Sequence, residues 1–191
     1  MEFCKQYPGG TELEISMLFA DIRGSTKLAE GMRAAEFSRL MNRFYKQSTD
    51  ALIKTDAYID KFVGDEVIGL YFPLFAGKNH AGAAIAGAQE MLRVAKFDRK
   101  AGQALPIGIG VHTGVAYVGI VSGAEGSVKD VTALGDNVNI TARLASTAGA
   151  GEALVSEAAC AAAGLNIGSL EQRQLELKGK SEPVSVRVLK S

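Results

Sequence analysis

The sequence has too few cysteines for a disulfide-rich protein, and its apolar segments are too short for a membrane-spanning one. Its two cysteines, Cys4 and Cys160, are too few for a disulfide framework and fit a reducing compartment. No apolar run approaches the roughly 18 residues that a membrane-spanning helix needs, and residues 1–10 lack the long apolar segment of a signal peptide. We therefore expect a cytoplasmic protein, or the cytoplasmic domain of a larger membrane protein.

The sequence also lacks an excess of charge of either sign. Lysine plus arginine and aspartate plus glutamate each number 21, so the net charge does not indicate a nucleic acid as partner, and we expect none. A local cluster of cations could still bind a small polyanion. With 191 residues the chain is long enough for a core of its own. We predict a single domain over residues 1–191, with residues 1–13 as an N-terminal extension.

Two aspartates, each at the end of a predicted strand, are the most informative feature that is present. Asp21 follows the apolar residues 17–20, and Asp65 lies beside Gly64 between two apolar runs. An ionised carboxylate next to so much apolar sequence needs a charged partner or bulk water. Mg²⁺ is usually held by one or two carboxylates together with phosphate oxygens. The pattern therefore indicates a pair of hard divalent cations and phosphoryl or nucleotidyl chemistry.

Apolar spacing in the first part of the chain predicts the element order β-α-β-β-α-β. Short apolar runs predict strands, apolar residues at helical spacing predict helices, and residues 64–66 are too few for a crossover and so predict a hairpin. The predicted elements are strand 15–20, helix 33–54, strands 57–63 and 67–72, loop 73–78, helix 79–97 and strand 106–112. This order is typical of an α+β, ferredoxin-like fold, an antiparallel sheet with helices on one face.

The rest of the chain is predicted to add C-terminal strands and helices to this βαββαβ core. Thr113-Gly114 predicts a second hairpin, between strands 106–112 and 115–121. The later predicted elements are loop 122–129, strand 130–134, helix 136–146, strand 153–155, helix 157–163 and a closing strand pair, 169–177 and 184–189. His112 is expected inside the sheet as a packed structural histidine rather than a catalytic base.

Three blocks of the sequence resemble the signature blocks of the class III adenylate and guanylate cyclases. They are residues 19–26 (FADIRGST), 61–65 (KFVGD) and 134–144 (LGDNVNITARL). The resemblance covers about residues 14–189, and three blocks in order, in the expected strand, turn and helix contexts, are far more specific than one. Members of this family convert ATP to cyclic AMP, or GTP to cyclic GMP, and release pyrophosphate.

The resemblance implies a metal site. Asp21 and Asp65 match the family's metal-binding aspartates, and Ile22 would add its backbone carbonyl. Two divalent cations, Mg²⁺ or Mn²⁺, would bind there, and such a pair can activate the ribose 3′-hydroxyl and stabilise the leaving pyrophosphate.

The resemblance also implies residues that bind the triphosphate. These residues are Gly24, Ser25, Thr26 and Lys178, with Lys180 as the second candidate for the lysine. A purely structural interpretation stays open for each: Ser25 or Thr26 would cap a helix, and residues 177–180 would form a charged turn.

Lys61 and Thr132 match the two positions that read the base in this family. A lysine that donates to a ring nitrogen and a threonine that accepts from the exocyclic amino group suit adenine. Guanine readers of the family usually carry a glutamate and a cysteine at these positions. The Lys/Thr pair therefore implies ATP as the substrate, although each residue taken singly could be an ordinary strand residue.

Asn139 and Arg143 lie four residues apart on a predicted helix and so project from one face. They match the residues that orient the ribose and stabilise charge on the transferred phosphorus, a role that suits the permanent charge and forked donors of arginine. One departure from the family concerns Val115, which follows Gly114 where some members carry a phosphate-binding arginine. Arg23 is a candidate to compensate for it.

In this family one site combines metal-binding residues of one protomer with base-reading residues of another. A chain that carries both sets implies a head-to-tail homodimer with two equivalent sites. Members often carry regulatory or membrane domains upstream, and such a domain could precede this chain. The expected function is an adenylate cyclase. The alternatives are a guanylate cyclase and a catalytically silent nucleotide-binding module; a diguanylate cyclase is disfavoured because residues 63–67 (VGDEV) match its hairpin motif only loosely.

Overall fold

The computed structural model describes residues 9–97, 105–123 and 128–191. The strands are β1 (Thr11–Ile22), β2 (Tyr58–Val63), β3 (Glu66–Tyr71), β4 (Ile107–Gly123), β5 (Val128–Leu134), β6 (Glu152–Ser156), β7 (Glu171–Leu175) and β8 (Val184–Lys190). The helices are α1 (Ser25–Gly31), α2 (Ala34–Lys54), α3 (Pro73–Ala76), α4 (His80–Phe97), α5 (Asp136–Thr147) and α6 (Glu157–Ala162). Residues 1–8 of the predicted N-terminal extension lie outside the described part. Residues 11–13 of that extension belong to the sheet, because β1 begins at Thr11 and not at residue 15 as predicted.

The strands form one sheet in the order β2-β3-β1-β4-β6-β8-β7, and β5 also pairs with β4. The pairing of β4 with β6 is parallel and the other pairings are antiparallel. The pairing of β4 with β1 ends at Val118, whereas its pairing with β5 continues to Gly123. The end of β4 and the start of β5 therefore extend from the sheet as a two-stranded ribbon. The predicted α+β fold with a mainly antiparallel sheet is confirmed.

Helices cover both faces of the sheet. Side chains of a strand alternate between its two faces, and along β1 Leu18 and Ala20 pack in the same cluster as α2 and α4. Met17 and Phe19 point the other way and pack in the cluster that includes Ala145 of α5. The helices of the βαββαβ core thus share one face, as predicted, and α5 covers the opposite face. Burial on both faces explains why residues 15–20 of β1 are apolar apart from Ser16.

The predicted hairpin at Thr113-Gly114 is wrong, because both residues lie within the continuous strand β4. Their Cα partners on β1 are Ser16 and Ile15, and the hydroxyl groups of Thr113 and Ser16 are 2.6 Å apart in a hydrogen bond. A side chain at Gly114 would place its Cβ 2.6 Å from the Asn137 amide. The glycine therefore permits the close approach of α5 and does not mark a turn.

The remaining differences concern element boundaries. The predicted loop 122–129 is too long, since β4 continues to Gly123 and β5 begins at Val128; its middle, residues 124–127, lies outside the described part. The predicted loop 73–78 contains the short helix α3, which Pro73 opens at a position where a helix needs no N–H donor. Within the described ranges, none of the helices combines the length and the apolar character needed to cross a bilayer.

Candidate active site

The two predicted metal ligands lie side by side at one end of the sheet. Asp21 is near the end of β1, where its Cα partner across the ladder is Glu66 of β3. Asp65 occupies the turn between β2 and β3, next to Gly64, whose φ of 59° is the left-handed conformation that glycine adopts at little cost. The backbone N–H of Ile22 donates to the Asp65 carbonyl at 3.2 Å. This bond fixes the β2–β3 turn against the end of β1.

The carboxylates at this point are crowded, and their charges oppose one another. Burial raises the pKa of Asp21 to about 6, with the Asp65 charge acting in the same direction and Arg23 opposing it. Burial raises the pKa of Glu66 to about 7, and the charges of Asp21 and Asp65 add to the effect. Such a site gains stability when a cation binds, because the cation offsets the repulsion.

A carboxylate oxygen of this site that makes no hydrogen bond fits a divalent cation. Among the described residues, Oδ1 of Asp21 is buried and has no hydrogen-bond partner. Oxygen ligands of this kind suit Mg²⁺ or Mn²⁺ rather than metals that prefer nitrogen or sulfur. Within the same part of the chain, no three or more His, Cys, Asp or Glu side chains are arranged to hold a metal.

The segment after Asp21 is tied to both aspartates. Arg23 donates from Nη2 to Oδ2 of Asp21 and from Nη1 to the carbonyl of Ser146 on α5, the latter at 2.8 Å. Ser25 donates to the Asp65 carboxylate. Gly24, with φ 69°, sits in the left-handed conformation at the start of α1, and no side-chain cap is present there. Ser25 therefore contacts the Asp65 carboxylate and does not cap α1.

The two predicted base-reading residues meet through an aspartate that the sequence analysis missed. Thr132 of β5 donates from Oγ1 to Oδ2 of Asp60 on β2 at 2.9 Å. The Lys61 ammonium lies 3.6 Å from the same oxygen. In the order of the sheet β3, β1 and β4 separate β2 from β5, so the sheet curls to bring the two strands together. No local pattern indicates Asp60, because its partner Thr132 is 72 residues away.

Asn139 and Arg143 both lie on α5, as predicted, with Asn139 exposed and Arg143 half-buried. The helix can approach β4 closely because Gly110 has no side chain: a Cβ there would lie 2.4 Å from the backbone nitrogen of Ala145. A Cβ at Gly179 would lie 3.6 Å from a guanidinium nitrogen of Arg143. The turn that carries the predicted lysines therefore lies next to Arg143.

Of the two lysine candidates in that turn, Lys180 already has a partner. Its ammonium contacts the Asp136 carboxylate at the start of α5. Lys178 is exposed. This arrangement favours Lys178 as the residue available to a ligand and gives Lys180 the structural task of holding the turn against α5.

His112 is buried, as expected of a structural histidine, and connects α5 to the sheet. Its Nδ1 is 2.8 Å from the Ser156 hydroxyl, and its Nε2 is 2.9 Å from Oδ1 of Asn137. The Asn137 amide nitrogen donates to the Val115 carbonyl at 2.7 Å, so Oδ1 is the acceptor and Nε2 of His112 carries the proton. This network fixes the first turn of the helix that bears Asn139 and Arg143.

Protonation of His112 is expected to weaken the fold in mild acid. Burial lowers the pKa of His112 below 6.5; Lys180 acts in the same direction, and the Asn137 hydrogen bond and Asp136 oppose it. As the pH falls below about 6.5, the unfolded chain binds this proton before the folded chain does, so stability present above that pH is lost. The slope can reach about 1.4 kcal/mol per pH unit.

The measurement is urea unfolding of the wild type and of His112→Gln between about pH 7.5 and pH 5. The stability advantage of the wild type over the variant should shrink as the pH falls. Because Asp21 and Glu66 titrate in the same range in both proteins, only the difference between the two is informative. A difference that stays constant with pH would contradict the assignment of a neutral, buried His112.

The sequence matches the family described as the adenylate and guanylate cyclase catalytic domain over residues 10–189. It is 29% identical over 180 residues to a terminal-differentiation specific adenylate cyclase of Dictyostelium discoideum, an alignment that covers 90% of this chain and 8% of that protein. It is also 29% identical over 137 residues to an adenylate cyclase of Anabaena cylindrica, covering 68% of this chain and 26% of that protein. The chain thus spans about a quarter or less of the length of these two relatives.

Solved structures of cyclases share the fold. The adenylyl cyclase CyaB from P. aeruginosa has a TM-score of 0.84 and 30% identity, with 95% of this chain and 96% of that chain covered. The guanylyl cyclase Cya2 has a TM-score of 0.84 and 29% identity, with 94% and 93% covered. The similarity to the adenylyl cyclase and the similarity to the guanylyl cyclase are nearly equal, so they do not distinguish adenine from guanine as the substrate base. The family match, which extends over nearly the whole chain, shows that the protein belongs to the class III adenylate and guanylate cyclase catalytic domains.

Proposed function

We propose that this chain is an adenylate cyclase, which converts ATP to 3′,5′-cyclic AMP and pyrophosphate. The observation that carries the choice of nucleotide is the contact of Lys61 and Thr132 with one oxygen of Asp60. These two residues are 71 positions apart in the chain, and their shared partner brings them to one place. A donor from lysine and an acceptor from threonine, set side by side, complement the Watson–Crick edge of adenine.

The residues at the end of β1 would hold two divalent cations through Asp21, Asp65 and the carbonyl of Ile22. Bound there, Mg²⁺ or Mn²⁺ would favour ionisation of the ribose 3′-hydroxyl and neutralise charge on the phosphates. The buried, unbonded Oδ1 of Asp21 supports this assignment. Asp21, Asp65 and Glu66 are also crowded together, and burial, reinforced by the neighbouring negative charges, raises the pKa of Asp21 and Glu66, which supports the assignment independently.

Other residues of the chain would bind the rest of the substrate. Asn139 would orient the ribose, and Arg143 would stabilise the charge that develops on the transferred phosphorus. The phosphate-binding residues would be Gly24, Ser25, Thr26 and Lys178. Arg23, which contacts Asp21 in the structure, is close enough to the metal site to supply the positive charge that Val115 cannot.

The active unit would be a head-to-tail homodimer, with the metal residues of one protomer facing the base-reading residues, and also Asn139 and Arg143, of the other. The surface of the single chain supports association, since it exposes apolar side chains near both groups. Phe62 and Val63 precede the Asp65 turn and are 47% and 51% exposed. Tyr117 of β4 and Leu134 of β5 are paired with each other and are 39% and 48% exposed. Exposed apolar surface of this kind marks interaction sites.

The chain would be a single catalytic domain. Its relatives are much longer than the matched region, which supports a further regulatory or membrane domain, and the resemblance to the family would place that domain upstream. An ATP substrate would place the catalytic domain on the cytoplasmic side. The alternative of a guanylate cyclase has the similarity to Cya2 in its favour. No observation favours the catalytically silent module. Such a module would lack at least one metal-binding or catalytic residue, whereas Asp21, Asp65, Asn139 and Arg143 are all present.

The test is product formation from ATP and, separately, from GTP, with Mg²⁺ or Mn²⁺ and after removal of the cation with EDTA. We expect cyclic AMP to form at least about tenfold faster than cyclic GMP at equal substrate, and both activities to disappear with EDTA. Preference for GTP would establish the guanylate cyclase instead. No cyclic product from either nucleotide at high protein concentration would support the silent module.

A further inference from the structure

We propose that Asp60 is a positioning residue that makes the site selective for adenine by holding the Thr132 hydroxyl as an acceptor. This inference rests on the proposed function, since it concerns the same base-reading pair. It assigns a role to a residue outside the three signature blocks, one that would not touch the substrate itself.

The position of Asp60 suits such a role. Its side chain keeps only 4% of its surface exposed, and Thr132 keeps 7%. Thr132 donates its hydroxyl hydrogen to Oδ2 of Asp60 at 2.9 Å, and the Lys61 ammonium lies 3.6 Å from the same oxygen. Lysine has only hydrogens to offer. An oxygen placed against the ammonium therefore acts as an acceptor, and this sets the direction of the bond from Thr132.

The backbone explains how neighbouring residues can both face Thr132. In a regular strand Asp60 and Lys61 would point to opposite faces. The pairing of β2 with β3 shifts register between Ile59 and Lys61, whose partners Gly69 and Ile68 are consecutive. Asp60 is thus the extra residue of a β-bulge, an irregularity that re-aims side chains. The bulge lets the Asp60 carboxylate reach Thr132 while Lys61 stays beside the same carboxylate oxygen.

The direction of the hydrogen bond from Thr132 to Asp60 then determines whether the site accepts adenine or guanine. A hydroxyl has one hydrogen and two lone pairs. When the hydrogen is committed to Asp60, Thr132 can only accept, and the 6-amino group of adenine donates to it. Guanine carries a carbonyl oxygen at position 6, which would face another acceptor. An unpaired buried polar group costs more than a hydrogen bond gains, so a site of this kind discriminates strongly.

The experiment measures kcat/KM for ATP and for GTP in four proteins: the wild type, Asp60→Ala, Thr132→Val and the double variant. The ratio of the two values should fall about tenfold in Asp60→Ala, because the hydroxyl becomes free to rotate and donate to guanine. It should also fall in Thr132→Val. In the double variant it should fall no further than in Thr132→Val, since Asp60 acts through Thr132.

Three additions exclude a merely structural effect. Asp50→Ala removes an exposed carboxylate of α2 that pairs with Lys46 and should leave the ratio unchanged. If Asp60→Ala does not fold, Asp60→Leu removes the acceptor while filling the space. The wild type should also reject inosine triphosphate about as strongly as GTP, because that nucleotide differs from ATP only at the position that faces Thr132 and its neighbouring ring nitrogen.

The outcomes separate this inference from the proposed function. If the wild type forms cyclic AMP and Asp60→Ala lowers the rates with ATP and GTP equally, Asp60 is structural and the inference is wrong, whereas the function stands. If the wild type forms no cyclic product, the proposed function fails. In that case the preference for adenine is measured as the ratio of the affinities for non-hydrolysable ATP and GTP analogues. If Asp60→Ala leaves this affinity ratio unchanged, the inference is overturned as well.

Discussion

Replacement of Asp65 by Ala should lower kcat with ATP by at least about a thousandfold. The loss follows from removal of one of the two carboxylates that would hold the cations, since charge stabilisation by a metal contributes several kcal/mol to a transition state and each 1.36 kcal/mol is a factor of ten. Affinity for the base should change little, because Lys61 and Thr132 both contact Asp60, which is not one of the proposed metal ligands. Steady-state kinetics with saturating Mn²⁺ gives the loss directly.

The same substitution should not destabilise the protein, and this makes it informative. The Asp65 charge helps to raise the pKa of both Asp21 and Glu66, so its removal relieves repulsion in the absence of a cation. We expect a melting temperature equal to or above that of the wild type. Asp50→Ala, on the exposed face of α2, serves as the matched loss of a carboxylate and should keep full activity. Activity of Asp65→Ala within about tenfold of the wild type would refute the metal assignment.

Replacement of Arg143 by Ala should lower kcat by about a hundredfold to a thousandfold and leave KM for ATP nearly unchanged. Arg143 is half-buried on α5 beside the turn at Gly179, where its forked donors can stabilise charge that appears only during the reaction. An interaction made only in the transition state affects kcat and not substrate binding. Arg143→Lys should recover little, since a lysine offers a point charge in place of the fork.

The matched control for this substitution is Arg93→Ala. Arg93 is an exposed arginine of α4 whose ion pair with Glu90 lies on the surface, and its loss should leave kcat unchanged. A rise in KM for Arg143→Ala with unchanged kcat would show that Arg143 binds the ground state instead. In that event the role assigned to the helix face of Asn139 and Arg143 would need revision.

Local patterns in the sequence were enough to predict the elements that carry the predicted site. The strand before Asp21 is a short apolar run, and the three residues around Asp65 leave room only for a tight turn, so both were placed correctly. The helix with Asn139 and Arg143 was likewise predicted within a residue of its observed end. Each of these elements depends on residues that are close together in the chain.

The failures arose where the deciding contacts are distant in sequence. Thr113-Gly114 has the composition of a turn, but α5 needs a glycine there to approach β4, and the ladder with β1 keeps the strand continuous. Asp60 is important only because β5 meets β2 across the curled sheet. Tyr45, whose hydroxyl donates to the carbonyl of Gly64, supports the Asp65 turn from α2. No spacing rule within one element predicts such contacts.

A heterodimer of two inactive chains shows whether the cyclase site is shared between two protomers. Asp65→Ala and Arg143→Ala chains are co-expressed with different affinity tags, and the protein that carries both tags is purified. In a head-to-tail dimer one of the two sites then receives an intact metal group from one chain and an intact α5 from the other. If the site is shared, the heterodimer should form cyclic AMP at about half of the wild-type rate. A heterodimer as inactive as either parent would contradict the shared site.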